Sequence, residues 1–279
     1  MKEGVMSTVP GSVAPLNGFA KAGFLTEFLR DTFALADIEL RKLRRDPLEL
    51  LTRAVQPALW LLVFGQVFGR LKAIPTGEMN YVTFMVPGIL AQSVLFIAIF
   101  YGISVIWERD LGILQKLLVS PAPRTALVLG KALSAGVRGL SQAIVIYLLA
   151  SLLRVRLRFG IEILGVLAFV VLGSAIFSTF SLAVACLVKT RERFMGIGQV
   201  LTMPLFFASN AIYPLAIMPG WLRTFAKLNP LSYQVDALRA LMVQGGQTMF
   251  GLSFDFCILV LVLVGLVLVT AKLYPNVIR

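Results

Sequence analysis

Side chains that do chemistry are scarce in this chain, and the few present are badly placed for catalysis. There is no histidine, which removes the commonest general base and the commonest metal ligand. The two cysteines, Cys186 and Cys257, both lie inside apolar runs, so a disulfide framework is not indicated. No metal site or catalytic triad can be built from what remains. The nearest approach to a phosphate-binding loop is Gly130-Lys131, but Thr125 stands where the first glycine belongs and Ala132 where a Ser or Thr belongs. This chain does not bind and hydrolyse ATP in that manner.

Ion-coupled transport needs acids inside the membrane. All 14 acidic residues fall in the N-terminal segment, in loops or near the ends of apolar runs, with Glu162 and Asp255 at such edges. Only Arg138, within GVRGLS, is ionised in the central turns of a run. That pattern argues against proton or sodium coupling, and no filter-like loop marks a channel. Energy for any transport must come from a separate subunit. Arg138 itself has two readings. It faces a translocation path or an anionic headgroup, or it is a structural charge that pairs with a carbonyl or snorkels toward the cytoplasm.

A different kind of site is suggested by ERDLGILQKLLVSPAPR, residues 108–124. At 100° per residue, Leu111, Ile113, Leu114, Leu117 and Leu118 share one side, and Arg109, Gln115 and Lys116 the other. Pro121 and Pro123 then stop any helix, because proline lacks the donor and clashes with the preceding turn. A short helix of this kind in a loop suits a groove in a partner protein. The alternative is a turn lying on the bilayer surface.

These residues sit in a chain that is 58% hydrophobic and only 14% charged, with a mean hydropathy of +0.87. Such a balance excludes a water-soluble globular protein. The formal charge of +12 would suggest nucleic acid in a soluble chain. Here it reads as basic residues gathered at a membrane surface, and no nucleic-acid partner is expected. A span needs about 20 mostly apolar residues. Six segments qualify, at about 53–70, 82–106, 125–153, 161–188, 196–218 and 253–273, and the first and fifth are interrupted by proline and polar residues.

With six spans, one side of the membrane receives seventeen Lys and Arg residues and the other eight. The positive-inside rule then puts both termini in the cytoplasm, and the 108–124 stretch with them. The RVRLR cluster at 154–158 opposes this orientation, since it falls outside.

The N-terminal residues 1–23 read as a flexible tail without a signal-peptide core. Residues 24–47 form an amphipathic pattern expected to lie along the interface, or to pack as an ordinary helix on a partner. Between the fifth and sixth spans, Pro214 and Pro219 break the chain, Trp221 suits the interface, and LNPLSYQVDALRALMVQGG makes a helix with Leu231, Val235, Leu238 and Leu241 or Met242 on one face. This predicts a re-entrant or surface-lying outer hairpin, or an extracellular amphipathic helix without a transport role.

MVPGIL at 85–90, ERDLGILQKLLVSPAPR at 108–124 and LNPLSYQVDALRALMVQG at 228–245, in this order between six spans, resemble the membrane subunits of the type 2 ABC transporter family, in particular its daunorubicin-export branch. The resemblance implies an all-α integral membrane protein with an N-terminal connecting helix at 24–47 and a six-span domain at 53–273. It also implies a cytoplasmic coupling helix, in which Glu108, Arg109, Leu114, Leu117 and Leu118 meet a groove on an ATPase and Ser120-Pro121 end the element. The partners implied are two copies of an ABC ATPase that binds the ATP, a second copy of this chain or a paralogous permease, membrane lipid and an amphiphilic substrate. No cofactor is expected on this chain, which is not an enzyme by itself. The implied activity is export of a hydrophobic drug or lipid-like molecule across a bacterial-type inner membrane. A polysaccharide or lipo-oligosaccharide is the alternative cargo, and an ATPase-independent channel or secondary transporter the alternative class.

Overall fold

The structure is a computed structural model that describes residues 47–273 apart from 73, 78, 112–123 and 189. The expected tail at 1–23 and nearly all of the helix expected at 24–47 therefore lie outside the described residues. In chain order the elements are α1 (Pro47–Leu59), a π-helical turn (Trp60–Phe64), α2 (Gly65–Leu71), α3 (Tyr81–Asp110), α4 (Arg124–Leu152), α5 (Glu162–Leu187), α6 (Arg191–Phe207), a 3-10 turn (Leu215–Ile217), α7 (Gly220–Leu228), α8 (Pro230–Met242) and α9 (Leu252–Leu273). Among the described residues there is no strand, only an isolated antiparallel bridge between Leu157 and Val243.

Among the described residues, five stretches are long and apolar enough to cross a membrane: Ala54–Leu71, Tyr81–Asp110, Val128–Leu152, Glu162–Leu187 and Leu252–Leu273. The first runs unbroken through the π-helical turn, which follows Pro57. A proline ring removes one backbone donor, and the helix accommodates the missing bond by widening nearby. The segment expected as a span at 196–218 instead falls on α6, which has 17 residues, begins at Arg191 and stops at Phe207. Thr190 caps its start, accepting from the Arg193 amide at 3.4 Å. Its end follows Pro204, after which the chain turns back on itself instead of continuing.

α5 is the hub, packing against α3, α4, α8 and α9. Lipid is as apolar as leucine, so helices in a membrane associate through close packing and interhelical hydrogen bonds. α5 accordingly buries Gly173, Ser174, Ala175, Ser178, Thr179 and Ser181. A Cβ at Gly102 of α3 would collide with the Ser181 hydroxyl, and one at Gly139 of α4 with that of Ser174. Hydroxyl bonds staple the same contacts: Ser181 donates to the Ile99 carbonyl, and Thr270 of α9 donates to the Thr179 carbonyl at 3.3 Å. The main core then fills with Met85, Ile89 and Leu90 of α3, Phe177 of α5, Phe206 of α6, and Leu231 and Leu238 of α8. α9 keeps one face free, where Leu261, Val264 and Leu268 are exposed.

The helices alternate in direction, so the C-termini of α3 and α5 meet the N-termini of α4 and α6 at one end of the bundle. The opposite end collects the loop at 72–80, the loop at 153–161 and the whole of 208–251.

Candidate functional site

At the first of these ends, the last turn of α3 carries Trp107, Glu108, Arg109 and Asp110. The Glu108 carboxylate is held by the Lys131 ammonium of α4, both partly buried, with 28% and 15% of their side-chain surface exposed. Asp110 accepts from Arg109 Nη2 at 3.1 Å and from Arg191 Nη2 of α6 at 2.9 Å. The Arg191 guanidinium also lies 4.0 Å from the centroid of the Trp107 ring. Arg109 Nη1 reaches the Val188 carbonyl, beyond the end of α5, at 3.5 Å. Charge-assisted bonds and cation–π contacts of this kind thus tie the ends of α3, α4, α5 and α6 into one collar.

The collar brackets residues 112–123. Of the expected coupling residues, Glu108 and Arg109 are in it, while Leu114, Leu117, Leu118, Ser120 and Pro121 lie outside the described residues. Lys131, Asp110, Arg191 and Trp107 were not singled out by sequence reasoning. Their signal is positional, since each sits within two turns of a helix end at this end of the bundle.

Arg138 lies deeper on α4. Its guanidinium is 4.9 Å from the centroid of the Tyr101 ring of α3. Tyr101 and Glu108 are seven residues apart on one helix, and Lys131 and Arg138 seven apart on its antiparallel neighbour. Two turns, about 10 Å, therefore separate the two contacts along the same seam. Near Arg138, a cleft of about 310 Å³ opens between α1, α3 and α4, lined by Gln56, Ser93, Phe96, Phe100 and Gln142 among others. The sequence shows no polar channel lining, yet folding gathers four polar side chains here, Thr52, Gln56, Ser93 and Gln142. Gln142 Oε1 is buried without a hydrogen-bond partner among the described residues.

The opposite end holds the 209–246 region. α7 is amphipathic and exposes Trp221, Phe225 and Leu228. Arg223 anchors it by donating to the carbonyls of Leu215, Ala216 and Met218 at 3.0, 2.8 and 3.2 Å. α8 differs from the expected one-sided helix: Ser232, Gln234, Asp236 and Arg239 are buried as completely as Leu231 and Val235. The Ser232 hydroxyl has no partner among the described residues, and the partners of the other three come from distant segments. Gln234 donates to the Phe169 carbonyl at 3.3 Å, and Arg239 donates to the Asn210 carbonyl at 2.7 Å while lying 3.9 Å over the Phe84 ring. Asp236 accepts from the Met249 and Phe250 amides at 2.7 and 3.1 Å, while both carboxylate oxygens of Asp255 on α9 are buried without a partner among the described residues. Burial pushes the Asp236 carboxyl above its ordinary range and pulls Arg239 down to about 10, still cationic at neutral pH.

Comparison with known proteins places these elements in context. The sequence profile of the ABC-2 type transporter family matches residues 30–243, from before α1 to the end of α8. The putative transport permease ycf38 of Cyanophora paradoxa is 31% identical over 233 residues, covering 81% of this chain and 80% of that protein. The daunorubicin resistance ABC transporter permease protein DrrB1 of Streptomyces coeruleorubidus is 26% identical over 232 residues, 82% of this chain and 81% of its own. The probable doxorubicin resistance ABC transporter permease protein DrrC of Mycobacterium tuberculosis is 26% identical over 220 residues, 78% and 79% of the two chains.

Proposed function

The chain belongs to the ABC-2 type transporter family, and from that premise we propose that it is the permease subunit of an ATP-driven exporter for a hydrophobic drug or lipid-like amphiphile. In this reading α6 supplies a sixth span. Its 17 residues extend about 25 Å, at the short end of what a bilayer requires. α7 and α8 form the outer hairpin: burial of α8 on all sides supports its insertion among the spans, and exposed Trp221 and Phe225 support an interfacial α7. Both termini are cytoplasmic, in a bacterial-type plasma membrane. Two membrane subunits, identical or paralogous, work with two ATPase subunits that bind the ATP.

One observation carries the coupling role. The collar of Glu108–Lys131 and Asp110–Arg191 joins the ends of α3, α4 and α6, and its first residues open the amphipathic stretch read at 108–124. Leu114, Leu117 and Leu118 enter a groove on the ATPase, and Ser120-Pro121 end the inserted element. Motion of the ATPase then moves these helix ends together, because the ion pairs link one to the next. Arg138, over Tyr101 along the same seam, borders the translocation path near the α1–α3–α4 cleft. The aromatic and apolar walls of that cleft favour an amphiphile, as do relatives named for daunorubicin and doxorubicin resistance. Gln56, Ser93 and Gln142 are the observation in favour of a glycan, the alternative cargo.

The test is a mild-detergent pulldown of the chain from native membranes. A P-loop ATPase should be retained in stoichiometric amount and lost on Leu117→Asp, with membrane insertion unchanged. A chain that purifies alone and moves solute into liposomes without ATP would overturn the reading in favour of a channel or ion-coupled carrier.

A further inference from the structure

The arginine cluster that opposes the expected orientation has a defined setting. After α4, Arg154 takes a left-handed conformation (φ 56°), and the Arg154 and Val155 amides close the helix end on the Ser151 and Ala150 carbonyls at 3.0 Å each. The chain then runs extended and pairs with the segment after α8: Arg158 N donates to the Met242 carbonyl at 2.9 Å, Gln244 N to the Arg156 carbonyl at 3.0 Å, and Gln244 Nε2 to the Leu157 carbonyl at 3.1 Å. Extended backbone sends successive side chains to opposite faces. Leu157 is accordingly buried in the core, while Arg154 and Arg156 are exposed and Arg158 half-exposed. Among the described residues none of the three pairs with a carboxylate, Glu162 included. Three guanidinium groups are thus held on a pinned backbone, at the end of the bundle opposite the collar, with no counter-charge among the described residues.

Beside this loop a groove of about 500 Å³ runs between α4 and α5, lined by Leu140, Ile144, Tyr147, Leu148, Phe159 and Ile163 among others. Phe159, the residue after Arg158, roofs it, with its ring edge-on to Tyr147 at 5.9 Å. From Leu140 to Ser151 the groove follows α4 for about 16 Å, close to the depth of one leaflet's hydrocarbon. The Tyr147 hydroxyl is buried without a partner among the described residues. The groove's lining runs up to Ser151 and Phe159, the residues that flank the arginine loop in the chain, although no guanidinium lines it. An apolar slot beside a loop of three exposed cations matches one chemistry, an acyl chain joined to a negatively charged headgroup.

We propose that the α4–α5 groove and the Arg154–Arg156–Arg158 loop form a binding site for an anionic phospholipid of the adjoining leaflet, acyl chain in the groove and phosphate on the arginines. The site does not depend on the exporter reading, since neither the collar nor an ATPase takes part. It explains why basic residues sit where the positive-inside rule disfavours them: their partner is lipid phosphate at that face.

The experiment is native mass spectrometry of the full chain from detergent, incubated with phosphatidylglycerol, with phosphatidylcholine of the same chain length, or with inorganic phosphate. Phosphatidylglycerol should be retained preferentially. Replacing the three arginines together with Gln should weaken retention about a hundredfold, as three near-surface charges would. Leu148→Trp, which fills the exposed groove, should weaken it likewise, whereas Leu261→Trp on the free face of α9 should not. Equal retention of the two lipids, or undiminished retention by the arginine variant, would overturn the proposal. So would displacement by inorganic phosphate alone, which would reduce the site to a headgroup contact. A Leu148→Trp chain that loses a second copy of itself instead of lipid would assign the groove to a subunit interface, again against the proposal.

Discussion

Lys131 of α4 holds the Glu108 carboxylate of α3, joining the two helices that flank residues 112–123 in the chain. The antiparallel register that brings them together also sets Arg138 over Tyr101 two turns deeper, so one seam joins the loop to the middle of the bundle.

Glu108→Gln and Lys131→Met should each disturb coupling more than stability. An ion pair near a surface contributes up to about 1 kcal/mol, so the thermal midpoint in detergent should move by only a few degrees. ATP-driven efflux should fall severalfold. The exchanged pair, Glu108→Lys with Lys131→Glu, restores the attraction and should recover most of the efflux. If the exchange recovers nothing, Glu108 acts by contact with a partner and not through Lys131.

Asn229 should be among the most sensitive polar residues. It is 6% exposed, accepts from the Leu231 amide at 3.0 Å to cap α8, and donates to the Leu205 and Ala208 carbonyls at 2.7 and 2.8 Å at the end of α6. Asn229→Ala removes the cap and strands two carbonyls, a loss of about 2–4 kcal/mol. Asn229→Asp keeps the cap acceptor but sets a carboxylate against those carbonyls, so it should recover little. Thermal unfolding of the two variants in detergent checks the ranking.

The long helices were legible because apolar runs of span length leave few alternatives. α6 was misplaced at 196–218 because its end is fixed by Asn229, which is remote in sequence and reads locally only as a turn signal. α8 was misread for a related reason. Gln234, Asp236 and Arg239 look like an outward polar face, but the groups that satisfy them, at Phe169, Met249, Phe250 and Asn210, come from other segments. Burial of a polar residue depends on partners, and periodicity carries no information about partners. Half of the collar was visible in the same limited way, as charged residues at a helix end without the register that pairs them.

Glycine contacts give a sharper test of the packing between α3 and the outer turns. A Cβ on Gly88 would lie 2.7 and 2.8 Å from Cα and C of Ala211 and closer still to its carbonyl oxygen, all backbone atoms that cannot rotate aside. Gly88→Ala should therefore lower stability by about 1–3 kcal/mol, as overpacking does. Gly196 in α6 has nothing within 4 Å of the same position, so Gly196→Ala should be neutral or stabilising by up to about 1 kcal/mol. Opposite signs for the two variants in one melting assay would establish the close approach; equal effects would refute it.

Asp236 and Asp255 predict a pH dependence with a definite sign. Both carboxyl groups are buried, and burial raises the Asp236 carboxyl above its unfolded value. A group raised in the folded state contributes stability that is complete below the ordinary carboxylate range and is lost as pH climbs through the raised value. The wild-type melting temperature in detergent should thus decline from mildly acidic toward alkaline pH. Asp255→Asn removes the second buried carboxyl, so its melting temperature should decline less over the same range and lie above wild type at the alkaline end. Asp236→Asn should be worse than either, because it weakens the acceptor for the Met249 and Phe250 amides and removes the negative charge nearest Arg239. A wild-type profile that rises with pH would show that the pair is not proton-linked, whatever the variants do.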